Sequence, residues 1–287
     1  MFATSPEERS AHSRAWEARA QDVRFGRLES DDRAFPTFVD EEEELRVPLR
    51  STRGLRDFWG RYSGRHAYLD ITGPGHHIWA PLLRAAGRSL PDVRVVYVEP
   101  TDYTQSSTPT EGEIFDLSER ISGIAPIPGF ASLARGDDDD FDLVVLLGFG
   151  GTRLAYLLEN VQPLGGRVIP IVGVPGFRAE YPFYTYHGNK APLRESRAWS
   201  SVRYAGANCP FRLFSALEGL ARQLPGRMKI APIGTKPHSL AAVLYAIVEE
   251  ASVELVYDHP IRTARRTVGA ARALVYHVSP LMEDRRQ

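Results

Sequence analysis

The chain alternates between short apolar runs and longer stretches with helical spacing. The first run, residues 67–71, ends at a Gly/Pro turn, and residues 78–86 follow with apolar positions on one helical face. Residues 93–98 form a second run rich in β-branched residues, ending at Glu99-Pro100. Further runs occupy 143–147, 168–172, 229–233, 253–257 and 273–278, with helical stretches at 154–158 and 240–248. Runs that are apolar throughout, rather than alternating, mark strands covered on both faces, which is the signature of a parallel sheet. Helical segments between them supply the crossovers that parallel neighbours need. The pattern predicts an α/β fold: a doubly wound, mostly parallel Rossmann-like sheet over residues 65–287.

Residues 1–64 lack this rhythm. Their charged, alanine-containing opening, an acidic patch at 40–44 and an amphipathic stretch at 55–62 predict a helical N-terminal extension. Two later stretches interrupt the alternation. Residues 101–140 hold a Ser/Thr/Pro-rich loop and then four consecutive aspartates at 137–140. These read as a solvated loop rather than a metal site, because adjacent side chains point in different directions and no histidine is near. Residues 174–208 form an aromatic-rich insertion with Phe177, Tyr181, Phe183, Tyr184, Tyr186 and Trp199. Such a segment packs against the core, covers the sheet ends as a lid, or stacks on a base.

Composition narrows the classes. With 287 residues, 43% hydrophobic and 25% charged, the chain can bury a sizeable core in one large or two small domains. A net charge of -1 supplies no global field toward nucleic acid or an acidic membrane, so any anion site is local. The single cysteine, Cys209, excludes an intramolecular disulfide and a multi-cysteine zinc site, and its neighbours Asn208 and Pro210 offer no base. No apolar run approaches the roughly 20 residues that span a bilayer, and the first 24 residues lack the apolar centre of a signal peptide. The expectation is a soluble, cytoplasmic protein without membrane contact.

The chemistry concentrates in turns that follow strands. Gly234-Thr235-Lys236-Pro237-His238 lies between the run at 229–233 and an apolar helix. Helix N-termini attract anions because their first N–H groups have no internal partner and the peptide dipoles add there. Asp70-Ile71-Thr72-Gly73-Pro74-Gly75-His76-His77 and Gly148-Phe149-Gly150-Gly151-Thr152-Arg153 repeat the arrangement. In an open parallel sheet, ligands bind outside the carboxyl ends of the strands. That rule gathers Asp70, Thr72, Gly73, His76 and His77 with Glu99, then Gly150, Gly151, Thr152 and Arg153. Gly234, Thr235, Lys236 and His238 join them, as do Asp258, His259 and Arg262. The mixture of cations, hydroxyls and glycine N–H groups suits a phosphate-bearing ligand with a ribose-like diol.

Each piece also has a plainer reading. Gly234-Thr235-Lys236 also fits a tight connection in which Thr235 or Ser239 caps the helix. Arg153 opposes the helix dipole and calls for an anion beside it. Arg262, Arg265 and Arg266 suit either a solvated turn or phosphate contact. Zinc on His76, His77, His259 and Asp258 is disfavoured, since no H-x-x-x-H or C-x-x-C spacing supports it. No metal and no cofactor is evident. The G-x-G-x-x-G fingerprint, the P-loop and the G-x-S-x-G elbow are all missing.

The strand–Gly234-Thr235-Lys236–helix unit resembles the C-terminal signature of CARF and SAVED domains, Rossmann-like sensors of cyclic or linear oligonucleotides in prokaryotic defence systems. In that family a threonine or glycine usually precedes Gly-Thr-Lys and a methionine often follows two places later; here Ile233 and His238 occupy those positions. The turn at Asp70-Ile71-Thr72 looks like the first turn of the same fold. The resemblance covers two short motifs and the α/β order. It implies a dimeric domain with a nucleotide-type ligand carried by Thr72, Thr235 and Lys236.

The combined expectation is a nucleotide or oligonucleotide sensor, a homodimer acting in a defence or regulatory system. Its output passes to a separate effector protein, since 1–64 is too short for a nuclease or protease. The alternative is a nucleoside or sugar-phosphate transferase or hydrolase, with Asp70 or Asp258 as base and His77 or His259 as acid. A scaffold subunit whose turns are only turns is the third reading.

Overall fold

A computed structural model describes residues 2–3, 7–20, 22–40, 43–110, 112–115, 117–131, 140–224, 227–250 and 252–283. Three of the four consecutive aspartates, and Glu41 and Glu42 of the acidic patch, lie outside the described residues. The chain divides into two compact units: Met1–Tyr103 with Ala264–Gln287, and Thr104–Thr263.

In the first unit, Gly26–Ser30, Thr37–Asp40 and Glu43–Arg46 form an antiparallel sheet, with Phe2–Ala3 added in parallel at its edge. Each of these three strands turns one large apolar residue inward: Leu28, Phe38 and Leu45. Helix α1 (Thr52–Gly60) starts at Ser51, whose hydroxyl accepts from the Gly54 N–H at 3.0 Å, satisfying one of the orphan donors of a helix start. Strand β1 (His66–Asp70) leads through helix α2 (His76–Ser89) to the parallel strand β2 (Asp92–Val98). Ile78, Trp79, Leu82, Leu83 and Ala86 make the buried stripe of α2, and the Trp59 indole N–H donates to the Leu82 carbonyl at 2.9 Å. The far edge of β2 pairs antiparallel with Ala273–His277, from the returning end of the chain. Glu7 helps fix that return: it accepts from Arg9 Nε at 2.6 Å, Arg266 Nε at 2.8 Å and Thr267 Oγ1 at 2.9 Å.

The second unit opens with a hairpin, β3 (Gln105–Thr110) and β4 (Glu113–Phe115). Strand β5 (Ala125–Pro126) follows, then β6 (Phe141–Leu146), helix α3 (Gly151–Val161), β7 (Val168–Gly173), helix α4 (Tyr181–Glu195) and β8 (Arg203–Ala205). Helix α5 (Pro210–Ala221), β9 (Arg227–Pro232), helix α6 (Lys236–Val248) and β10 (Val253–Tyr257) come next, and a separate antiparallel pair joins Ser118–Ile121 to Pro260–Arg262. The six strands pair in the order β5-β10-β9-β6-β7-β8, parallel except at the β5–β10 edge. Every residue of β6 is buried, as a central strand covered on both faces must be. Phe141, Leu143 and Val145 pack against Leu154 and Leu157 of α3 and Leu193 of α4.

The chain is therefore not one doubly wound, mostly parallel Rossmann-like sheet with a helical N-terminal extension. Only one sheet is largely parallel, and short strands in small, mainly antiparallel sheets make up much of the rest. An apolar run carries no information on the direction of its neighbours, so β2 has one parallel and one antiparallel partner. Nor does it always mean burial on both faces, since β1 and Ala273–His277 are partly exposed. The first block conceals its strands because each offers a single large apolar residue among polar ones. Residues 174–208 fold as α4 and β8, the crossover and edge strand of the larger sheet.

Candidate functional site

In the 104–263 unit the strand order reverses at β6, so the turns after β6 and β9 face each other at the carboxyl edge. They meet backbone to backbone. A Cβ on Gly148 would lie 2.8 Å from the Ile233 carbonyl oxygen, and one on Gly234 would lie 2.5 Å from that of Leu147. Arg153 fills the remaining space. Its Nε and one terminal nitrogen each donate to a different Asp258 oxygen at 2.6 Å, and the other donates to the Ile233 carbonyl at 2.8 Å. Its carbon centre stands 5.9 Å from the Tyr257 ring. Burial alone would lower the Arg153 pKa, but the Asp258 charge outweighs it and raises it. The anion that Arg153 calls for at its helix start is supplied by the chain.

The Gly234-Thr235-Lys236 turn is built into the fold in the same way. The Thr235 hydroxyl donates to the Ala207 carbonyl at 2.9 Å and caps α6 by accepting from the His238 N–H at 3.4 Å. Lys236 is buried in the first turn of α6. His238 is fully buried, its Nε2 donating to the Gly206 carbonyl at 3.0 Å. Burial pushes the His238 pKa down to about 4, against backbone hydrogen bonds at Gly206 and Ala205 that favour the charged form. The unfolded chain takes up that proton near pH 6.5, so the unfolded state binds more protons than the native one between about 6.5 and 4. Stability drawn from neutral His238 is present above this window and is lost as pH falls through it, by about 3 kcal/mol in all. Urea unfolding of the wild type and His238→Gln across pH 4–8 checks this: the wild type is expected to lose stability faster than the variant below pH 6.5, and parallel curves would exclude it.

The first predicted turn belongs to the Met1–Tyr103 unit and to another sheet. Asp70 Oδ1 accepts from the Thr72 N–H at 2.8 Å, and Oδ2 lies 3.1 Å from His12 Nε2. The Thr72 hydroxyl accepts from the Val98 N–H at 2.9 Å, locking the turn to the end of β2. Gly73 lies in the bend before α2. His76 is buried beside Trp79, with ring centroids 5.3 Å apart. The His77 ring covers Gly75, where a Cβ would come within 2.6 Å of it. Glu99 is buried and accepts from Arg272 Nε at 3.1 Å, in the same unit. The sheet edge at β6–β10 therefore gathers Gly150, Gly151, Thr152, Arg153, Gly234, Thr235, Lys236, His238, Asp258 and His259, but not Asp70, Thr72, Gly73, His76 or His77. His259 Nε2 is 3.3 Å from the Ala125 carbonyl oxygen, and Arg262 ends a short strand paired with Ser118–Ile121.

A cavity of about 440 Å³ opens beside this edge, lined by Glu113, Gly151 and Thr152 with His187, Lys190 and Arg194. The last three share one exposed face of α4 at spacings of three and four residues, and Phe183, 74% exposed, continues the same stripe. The His187, Lys190 and Arg194 side chains make no hydrogen bond or ion pair among the described residues. By contrast, the arginines lining a smaller cavity of about 270 Å³ in the other unit are paired, Arg24 with Asp40 and Arg27 with Glu17. The amino end of α3 faces the cavity through Gly151 and Thr152. No group of three or more His, Cys, Asp or Glu among the described residues is placed to hold a metal ion. No helix among them is long and apolar enough to cross a membrane.

The sequence matches no protein-family model and no curated protein. Of the cavity's lining, Gly151 and Thr152 belong to a recognisable turn motif, whereas Glu113, His187, Lys190 and Arg194 belong to none. The spacing of 187, 190 and 194 was the available signal, masked by the aromatic residues around it.

Proposed function

We propose that this chain binds a nucleotide-type ligand in the α3–α4 cavity, as a sensor rather than an enzyme. The observation that carries the reading is the row of Lys190, Arg194 and His187, none of them in an ion pair or side-chain hydrogen bond among the described residues. The row faces the amino end of α3 across a cavity of ligand size whose one carboxylate, Glu113, is engaged by Thr152. Phosphate meets N–H groups and cations there, and Phe183, outside the cavity lining and one helical turn before His187, offers an exposed ring on which a base can stack. The Gly234-Thr235-Lys236 turn contributes by holding the sheet edge together rather than by offering its threonine to solvent. Asp258 gives the catalytic alternative no help, because both of its oxygens already accept from Arg153. The resemblance of that turn to CARF and SAVED domains extends the proposal to a cytoplasmic homodimer that reports to a separate effector protein in antiviral defence.

Calorimetric titration with pyrophosphate, nucleoside mono- and diphosphates, and linear and cyclic oligonucleotides tests the reading. Lys190→Glu/Arg194→Glu is expected to weaken every phosphate-bearing ligand by at least about thirtyfold, since each charged hydrogen bond contributes roughly 1.5–3 kcal/mol. Phe183→Ala is expected to weaken nucleotides by about fivefold or more through lost stacking, and to leave pyrophosphate unchanged. Absence of binding by any of these ligands, or binding indifferent to the double charge reversal, would remove the proposal.

A further inference from the structure

We propose that Glu113 is a built-in competitor for the anion position of the α3–α4 cavity, so that ligand and carboxylate exclude one another; this rests on the nucleotide-binding reading above. Helix α3 starts without a cap of its own. Its N-terminal flanking residue is Gly150, which has no side chain, and its first turn holds no acidic residue. The carboxylate that completes it comes from 39 residues upstream: Glu113 accepts from the Thr152 N–H at 3.3 Å and, more closely, from the Thr152 hydroxyl. A carboxylate in this position satisfies the orphan donors and the dipole much as one edge of a phosphate does.

The surroundings make this position contested. The carboxylate lines the same cavity as Lys190, Arg194 and His187, which draw an external anion toward it. The Thr152 N–H carries one proton, so it cannot serve two anions at once. Two negative groups at one helix end also repel. An entering phosphate must turn Glu113 out, and its apparent affinity is reduced by the strength of the contact it replaces.

The hairpin is shaped for a local displacement. Two residues beyond Glu113, Phe115 is buried against Phe149 and Tyr184, with ring centroids 4.8 and 5.2 Å away. That anchor keeps β4 in place. At the tip, Gly112 has a φ of +87°, a conformation open to glycine at no steric cost. The Glu113 side chain can turn away from the helix end while Phe115 and the contact of Gly112 with Gly188 keep the hairpin body packed. Coupling between sites is reciprocal, so a ligand that ejects Glu113 also loosens the tip. Binding is thereby converted into a change at residues 112–113.

Two measurements on the full chain decide this. In calorimetry with pyrophosphate, Glu113→Gln, which keeps the shape and removes the charge, is expected to bind about tenfold more tightly than the wild type, within the usual range of such couplings. Equal or weaker binding by Glu113→Gln overturns the competitor and leaves the cavity reading intact. If neither protein binds pyrophosphate, both fall. Hydrogen exchange over residues 105–115 of the wild type is the second measurement and does not depend on the variant folding. Saturating pyrophosphate is expected to speed exchange at the tip, and unchanged or slower exchange overturns the proposal.

Discussion

Asp258→Ala is expected to destabilise the 104–263 unit by about 3–5 kcal/mol, the usual result of removing one partner from a buried ion pair. For a unit of this size that corresponds to a fall in melting temperature of roughly 10 °C. Asp258 is fully buried, and both of its oxygens are engaged by Arg153 at 2.6 Å. Removing the carboxylate leaves the Arg153 guanidinium against Ile233 and Tyr257 with its counter-charge gone. Arg153→Met produces the complementary defect, a buried carboxylate with no cation. Removing both charges together, in Arg153→Met/Asp258→Leu, is expected to recover most of the loss, because the penalty lies in the unpaired charge and not in the missing attraction. Melting followed by hydrogen exchange in β6, β9 and β10 separates this unit from the other. If the double variant melts no higher than either single one, the pair contributes specific geometry beyond its charges, and this account of it fails.

The same pair shows how far the sequence could be read. Arg153 near a helix start signals a missing anion, and that inference from the dipole was sound. What it could not reveal was that the anion stands 105 residues further along the chain, at the end of β10. The seven apolar runs mark strands well, since clustered apolar and β-branched residues leave a compact local signal, whether both faces are buried, as in β6, or not, as in Ala273–His277. Strand direction has no such signal. Ala273–His277 reads like the other runs, yet it pairs antiparallel with β2 because of the path by which the chain returns. The strands at 26–30, 37–40 and 43–46 each depend on one inward residue, too little for a period to stand out.

Site residues follow the same division. Gly234-Thr235-Lys236 was legible as a helix start, and Thr235 does cap α6. Glycine turns identify where backbones approach closely, but not whether the partner is a ligand or another turn. At Gly148 and Gly234 the partner is another turn. The cationic stripe on α4 lay within reach of a periodicity argument. Glu113 did not, because its role exists only once the hairpin and α3 meet.

Gly188→Ala is the sharpest test of that meeting. Gly188 sits inside α4, where glycine is less favourable than alanine by about 1 kcal/mol on propensity alone. Its presence therefore needs a steric reason, and the crossing of α4 over the start of α3 provides one. A Cβ at Gly188 would lie 1.7 Å from the Phe149 carbonyl oxygen and 3.1 Å from that of Gly112. A Cβ at Gly151 would lie 2.0 Å from the Gly188 carbonyl oxygen. All of these neighbours are backbone, so no side-chain rotation relieves the clash, and α4 must move away by about 1.5–2 Å to restore ordinary contact. Overpacking of this kind typically costs 1–3 kcal/mol, occasionally more, and here it outweighs the gain in helix propensity. The displacement also separates Lys190 and Arg194 from Thr152, so pyrophosphate affinity is expected to fall at least tenfold. Gly165→Ala is the control: a Cβ there meets nothing within 4 Å, and its stability is expected to match or slightly exceed the wild type. Should Gly188→Ala melt and bind like the wild type, the two helices do not cross at these glycines, and the cavity loses the contact that shapes it.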